Sequence, residues 1–191
     1  MFIFKKEYYL IIDDVKTLNF DLIKSNNKYI VIYRSNSINN SYKNLLTFRK
    51  KCKCKNIDFY VSNDVKLLIN LNADGLYISA YNKDLRLNKF NQSRFKVIGS
   101  AHNIYDINLK TKQGCKKILF SRLFKTDYKD KATFLGVTKF NLLSRQINKK
   151  LVPLGGIRLK NLNQMNIVFC KSFAILSEIK KKPAKIFSRL F

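Results

Sequence analysis

Residues 58–78 read DFYVSNDVKLLINLNADGLYI, and this stretch decides the fold. It opens on a short apolar run, Asp58–Val61, whose brevity and continuity suit a strand buried on both faces of a parallel sheet. Asn63 and Asp64 follow. Val65, Leu68, Ile69 and Asn72 then fall on one helical face. Gly75 stands where that helix stops and a second apolar run, Gly75–Ile78, begins. This is one βα unit leading into the next strand.

Six more runs of the same kind lie outward from it: Tyr8–Ile12, Tyr29–Tyr33, Lys96–Ile98, Lys117–Phe120, Leu151–Leu154 and Phe173–Leu176. Helical spacing recurs at Ile104, Ile107 and Thr111 and at Phe140, Leu143 and Ile147, and Gly114 repeats the role of Gly75. A helix-like tail spans Lys180–Leu190. The first helix and the one near Asn88–Arg94 give the faintest pattern. Eight strands in 191 residues leave about 24 residues per unit, short but sufficient for a small (β/α)8 barrel. An open doubly wound sheet would announce itself by a Gly-rich first βα turn, and this chain has none. No linker rich in Pro, Gly or Ser divides it, so residues 1–191 read as one domain.

Hydrophobic residues make up 46% and aromatic residues 13% of the chain, which excludes a disordered tail protein. Lys and Arg number 38 against 12 Asp and Glu, a net charge of +26. Such a charge points to a polyanion: nucleic acid, an anionic membrane or phosphorylated small molecules. The basic residues are spread, however, and the runs Arg49–Lys51 and Lys180–Lys182 are short. The abundant Lys, Asn, Ile, Phe and Tyr all have A/T-rich codons, which accounts for the balance without a polyanion. No RRM, KH, zinc-finger or helix-turn-helix signature supports a nucleic-acid partner. Cys52 and Cys54 are the only cysteines close together among four, and the chain has one His, a poor zinc signal. Free thiols in a reducing compartment are expected. Met1–Leu10 carries Lys5, Lys6 and Glu7 and lacks the look of a secretory signal. No apolar run approaches the ~20 residues of a membrane span. The expectation is a soluble cytoplasmic protein without a membrane partner, with a homo-oligomer left open.

In a barrel of this kind the chemistry sits at the C-terminal ends of the strands. The candidates are therefore Arg34, Asn63–Asp64, Ser79–Asp84, Ser100–His102, Ser121–Lys131, Gly155–Gly156 and Ser177–Glu178.

Five of these stretches, in order and spacing, resemble the thiamine phosphate synthase family and its relatives, the TenI-type thiazole tautomerases. They are SNDVKLLINLNADGLYI (62–78), VIGSAHN (97–103), QGCKKILFSRLFKTDYKDK (113–131), LVPLGGI (151–157) followed by Asn161, and FAILSEI (173–179). The resemblance implies a transferase that joins hydroxymethylpyrimidine diphosphate to hydroxyethylthiazole phosphate. It implies Mg²⁺ to assist the departing diphosphate, acidic side chains to hold that metal, and small phosphorylated molecules as partners. Carried over by position, Arg34 and Asn63 contact the pyrimidine diphosphate and Asp64 binds Mg²⁺. Ser100 lies near the pyrimidine. Thr126 and Lys129 contact the phosphates, and Gly155 and Gly156 cradle the thiazole phosphate with Ser177 beside them. His102 matches the proton-transferring His of the tautomerases. Arg34, Ser100, His102 and Lys129 are thus the implied catalytic set.

Three departures stand out. The family's Gln and Lys around Arg34 are Ile32 and Asn36 here. The second Mg²⁺ carboxylate falls on Asn82 without a gap, or on Asp84 with a two-residue shift. The Pro pair of the sixth-strand loop is replaced by Arg122 and Lys125. Each candidate also has a plain structural reading. Asn63–Asp64 makes a good helix N-cap, Gly155–Gly156 a tight turn, Lys129 and Lys131 solvated charge, and His102 a structural residue. A tautomerase is the alternative within the family, since it needs neither diphosphate departure nor the lost cation.

Overall fold

The structure, a computed structural model, describes residues 5–23, 28–34, 40–127, 133–148, 150–177 and 179. Eight parallel strands, β1 (Glu7–Ile12), β2 (Tyr29–Tyr33), β3 (Asp58–Ser62), β4 (Gly75–Ile78), β5 (Lys96–Ala101), β6 (Lys117–Ser121), β7 (Lys150–Leu154) and β8 (Ser172–Ile175), pair in sequence order. The ring closes where Tyr8 of β1 lies opposite Phe173 of β8. The chain is a (β/α)8 barrel, as expected, and every expected strand is present.

Alternation along each strand separates two apolar layers. Tyr9, Ile11, Ile30, Ile32, Tyr60, Tyr77, Ile98, Leu119, Val152 and Ala174, drawn from all eight strands, fill the lumen. Tyr8, Leu10, Ile12, Val31, Phe59 and Phe173 face the surrounding helices. The lumen parity places Glu7, Asp58, Lys96 and Lys117 at the N-terminal rim. There Lys117 donates to Glu7 at 2.8 Å and Lys96 to Asp58 at 2.6 Å, and the Tyr9 hydroxyl reaches Glu7. The lower end is thus closed by ion pairs over tyrosines.

Four connections carry α-helices: α1 (Tyr42–Cys54), α2 (Val65–Asn70), α3 (Ile104–Lys112) and α4 (Val137–Gln146). The helix α1, absent from the spacings read above, is capped by Ser41 and buries Leu45, Phe48 and Cys52. The C-x-C pair is split by this helix: Cys52 is buried and Cys54 exposed. Short 3₁₀ turns take the place of α-helices at Val15–Thr17, Phe20–Leu22, Leu85–Gln92 and Leu159–Asn166; the faint pattern near Asn88–Arg94 overlaps the third of these. On α2, Leu68 is buried but Ile69 is exposed. On α3 the inward face is Ile107, Lys110 and Gln113; Ile104 and Thr111 are exposed. The tail Lys180–Leu190 lies outside the described residues. No helix among the described residues is long and apolar enough to cross a membrane.

Burial raises the hydroxyls of Tyr8, Tyr9, Tyr29, Tyr60 and Tyr77 above the ordinary tyrosine range and pushes the Cys52 thiol up to about 12. The unfolded chain releases these protons at lower pH than the folded one, so the folded state binds more protons in alkali. This stability is complete below the unfolded values and is lost as pH rises beyond them. Each group removes up to about 1.4 kcal/mol per pH unit above its unfolded value. The melting temperature should therefore fall steadily above about pH 9, and Tyr60→Phe should make that fall shallower. A melting temperature level to pH 11 would contradict this account of the lumen.

Candidate active site

The same strand parity that fills the lumen lifts Arg34, Ser62, Ser79, Ser100 and Ser121 to the C-terminal rim, at or just past the ends of β2 to β6. Arg34 is fixed by its backbone N–H, which donates to the Ile12 carbonyl at 2.8 Å. Its guanidinium lies 3.9 Å from Asp13, and its Nε is buried without a hydrogen-bond partner among the described residues. Beneath it the Tyr77 hydroxyl is hydrogen-bonded to Ser100. Burial raises that hydroxyl, and Ser100 and the nearby Arg34 charge pull it back. Tyr77 thus lies beside Ser100 and within electrostatic reach of Arg34. The sequence marked Tyr77 only as a strand residue.

Asn63 takes a left-handed backbone (φ 57°), a conformation that Asn tolerates better than most residues. Its side-chain oxygen accepts from Ser79 N–H at 3.0 Å and from Asn82 Nδ2 at 3.3 Å, and its Nδ2 donates to Ser79 Oγ. Asn63 thus ties the end of β3 to the loop after β4. Asp64 caps α2, its Oδ1 accepting from Leu67 N–H at 2.9 Å. The cap reading and the rim position coexist.

His102 follows β5. Its backbone N–H is held by Asp106, and its Nδ1 lies 2.7 Å from Ser121 Oγ at the end of β6. The Tyr81 ring, largely exposed, stands 6.1 Å away. A Ser121 hydroxyl that donates leaves the ring proton on Nε2; one that accepts leaves it on Nδ1. Either way one tautomer is fixed. Ser121 entered the sequence reading only as the start of a loop.

Gly155 and Gly156 have φ of 94° and 70°. A Cβ on Gly156 would lie 2.5 Å from the Phe124 carbonyl oxygen, so glycine lets the β6 loop seat directly on this turn. Leu123 and Phe124 donate to the carbonyls of Leu154 and Gly155. Asn161 locks the other side: its Nδ2 donates to Gly156 O at 2.8 Å and its Oδ1 accepts from Arg158 N–H. No carbonyl among the described residues accepts from the N–H of either glycine. Arg122 packs against Gly155, Arg158 pairs with Asp127 at 2.6 Å, and Thr126 Oγ1 is buried without a partner among the described residues. Ser177 follows β8, which is hydrogen-bonded to β7. Lys129 and Asn36 lie outside the described residues.

The residues expected to hold Mg²⁺ do not gather. Asn82, a neutral amide, is the residue that faces Asn63, and its Oδ1 is taken by Asp84 N–H at 2.9 Å. Asp84 caps the following 3₁₀ turn and gives both carboxylate oxygens to Arg86, at 2.9 and 3.0 Å. Arg86 holds the Asp84 carboxyl below its ordinary range. Asp64 is the carboxylate of this part of the rim that no arginine or lysine pairs among the described residues, and no cluster of three or more metal-ligating side chains occurs among them. A single carboxylate is the minimum of the one or two by which magnesium is ordinarily held together with substrate phosphates, so without a substrate's phosphates this donor set does not fit a resident ion.

In a parallel eight-strand barrel the active site sits at the C-terminal ends of the strands, the rim on which Arg34, the Gly155–Gly156 turn and the Ser121–His102 pair lie. The family model described as thiamine monophosphate synthase matches residues 9–179, and the chain belongs to that family. A thiamine-phosphate synthase of Persephonella marina is 25% identical over 155 residues, covering 80% of this chain and 74% of the relative. One from Prochlorococcus marinus is 27% identical over 135 residues, covering 70% of this chain but 38% of the relative. The chain therefore spans well under half the length of that relative. Among solved structures, thiamine phosphate pyrophosphorylase from Pyrococcus furiosus superposes with a TM-score of 0.77 at 18% identity, covering 97% of this chain and 93% of the other. The 3-keto-L-gulonate-6-phosphate decarboxylase of Vibrio cholerae superposes with a TM-score of 0.64 at 12% identity, covering 98% and 99%. At those identities the superpositions speak for the barrel alone.

His102 is the single histidine of the chain, so its ring nitrogens can be read without ambiguity. With the ring neutral, their ¹⁵N shifts should be far apart in the parent protein, as one tautomer requires. They should move towards each other in Ser121→Ala. Unchanged shifts would mean that the contact to Ser121 does not govern the ring.

Proposed function

We propose that this protein is a thiamine phosphate synthase, joining hydroxymethylpyrimidine diphosphate to hydroxyethylthiazole phosphate. The observation that carries the reading is the pairing of two anion-handling places at one mouth. Arg34 ends β2, and the Gly155–Gly156 turn packs on the loop after β6. The turn itself follows β7, three positions from β2 round the ring of eight (β2–β1–β8–β7), so the two places stand at separate points of the same mouth. Membership of the family supports the same reading.

In this proposal the bond between the pyrimidine methylene carbon and the diphosphate oxygen breaks, and diphosphate leaves with the electron pair. The thiazole nitrogen then donates its lone pair to that carbon. Arg34 stabilises the negative charge gathering on the leaving group, the kind of preorganised electrostatic contact that dominates many barriers. Ser100 and Tyr77 lie under the pyrimidine as hydrogen-bonding hydroxyls. The free N–H groups of Gly155 and Gly156 take the thiazole phosphate, with the buried Thr126 hydroxyl as a further donor and Ser177 alongside. Asn63 is assigned to the diphosphate through its hold on the β4 loop. Lys129 is assigned to the same phosphates on the resemblance alone. Free thiols and the absence of a spanning helix among the described residues support a cytoplasmic location.

One observation favours a second reading. The Ser121–His102 pair is arranged for proton transfer, which a thiazole tautomerase needs and a condensation does not.

Purified protein should convert the two substrates to thiamine phosphate. Arg34→Ala should lower kcat by about 100-fold. Gly156→Ala should raise KM for the thiazole phosphate about tenfold, a loss of roughly 1.4 kcal/mol in binding. Isomerisation of the thiazole phosphate without any thiamine phosphate would replace the synthase by the tautomerase. Neither product would reject both.

A further inference from the structure

The inner face of α3 carries a lysine. Lys110 is fully enclosed, with no exposed surface. Its aliphatic stem runs over Gly99, where a Cβ would come within 2.8 Å of Lys110 Cδ. Its Nζ donates to the Asn82 carbonyl at 2.6 Å and to Gln113 Oε1 at 2.8 Å. Gln113, equally enclosed, donates from Nε2 to the carbonyls of Asn82 and Asp84 at 3.1 and 3.0 Å. Both acceptors of the ammonium are neutral; burial lowers its pKa from the ordinary lysine value, and Cys115 and Asp106, the latter one turn earlier on the same helix, offset this only in part. A charge buried in this way is costly unless it is well bonded, so the loop from Asn82 to Asp84 is clamped from below by a positive centre.

That loop is the place at which the resemblance puts the second metal carboxylate. Here it presents the amide of Asn82, already bonded to Asn63 and to the Asp84 backbone. Two features therefore run in one direction: where the resemblance expects a negative ligand a neutral one stands, and an ammonium is bonded to the carbonyl of that same residue. Both raise the local potential, and both act against a divalent cation.

We infer that the rim at β3 and β4 holds no resident divalent metal, and that Asn82 and the buried Lys110 ammonium are what exclude it, supplying fixed positive potential for an anionic substrate in its stead. The inference rests on the proposed function only in taking this rim as the place where a substrate anion sits.

The test reads Mn²⁺ binding by electron paramagnetic resonance, without turnover, with and without inorganic diphosphate. The parent protein should bind Mn²⁺ no tighter than about 1 mM, the weak end of protein carboxylate sites. Asn82→Asp should tighten binding at least about tenfold, and the double variant with Lys110→Met further still, since it removes the repulsion. Circular dichroism checks that each variant is folded, and Asn82→Asp alone decides the matter where Lys110→Met fails to fold. The inference is overturned if the parent protein binds one Mn²⁺ at micromolar concentration, with or without diphosphate, and Asp64→Asn abolishes it. It is equally overturned if Asn82→Asp gains nothing. Loss of the synthase reading would show in the turnover assay and leave these Mn²⁺ results standing.

Discussion

The ladder between β1 and β8 is the interaction on which the rest of the molecule depends. Without it the eight strands are an open sheet with two bare edges and no lumen. With it, alternate side chains of every strand must point into one enclosed space, and that space must be filled. Tyrosines do much of the filling, with their hydroxyls near the rims. At the lower rim the Tyr9 hydroxyl meets the Glu7–Lys117 pair. At the upper rim the Tyr77 hydroxyl meets Ser100 under Arg34. One packing rule thus plugs one end and arms the other.

Much of this was legible in the chain because a parallel strand covered on both faces leaves a continuous apolar run. The connections were less legible. The three-residue turns Val15–Thr17 and Phe20–Leu22 are too short to carry a 3.6-residue pattern. At Ile69 and Ile104 an apolar residue at helical spacing sits on an exposed edge of its helix. Lys110 was hidden for the opposite reason: a lysine reads as a solvated residue, and nothing in the sequence says that Gly99 leaves a slot for its stem. The choice between Asn82 and Asp84 could not be made from spacing, since it turns on which side chain meets Asn63, a contact between different strand ends. Tyr77 was passed over, and Ser121 was read only as the start of a candidate loop, because their partners, Ser100 and His102, come from neighbouring strands.

The upper rim has a consistent electrostatic character. Arg34, Arg122 and Arg158 line it from β2, β6 and β7, and its acids are engaged: Asp84 by Arg86, Asp127 by Arg158, Asp64 by the start of α2. The cationic excess of the whole chain says little by itself, but here it is organised. In the proposed reaction, backbone N–H groups, arginines and a buried ammonium would act as fixed positive ends, needing little rearrangement when an anion arrives.

The closing ladder also has a consequence for how the chain is made. Glu7 lies opposite Ser172, so nearly the whole length of the polypeptide separates the two strands of the seam. A ribosome delivers β1 first and β8 last. Throughout synthesis β1 keeps one unpaired edge, and the lumen tyrosines have no roof. Contacts of such long range form slowly, and the exposed edge is what aggregation seeks. The dense positive charge of the nascent chain, repelling its own copies, guards that edge until the last strand emerges.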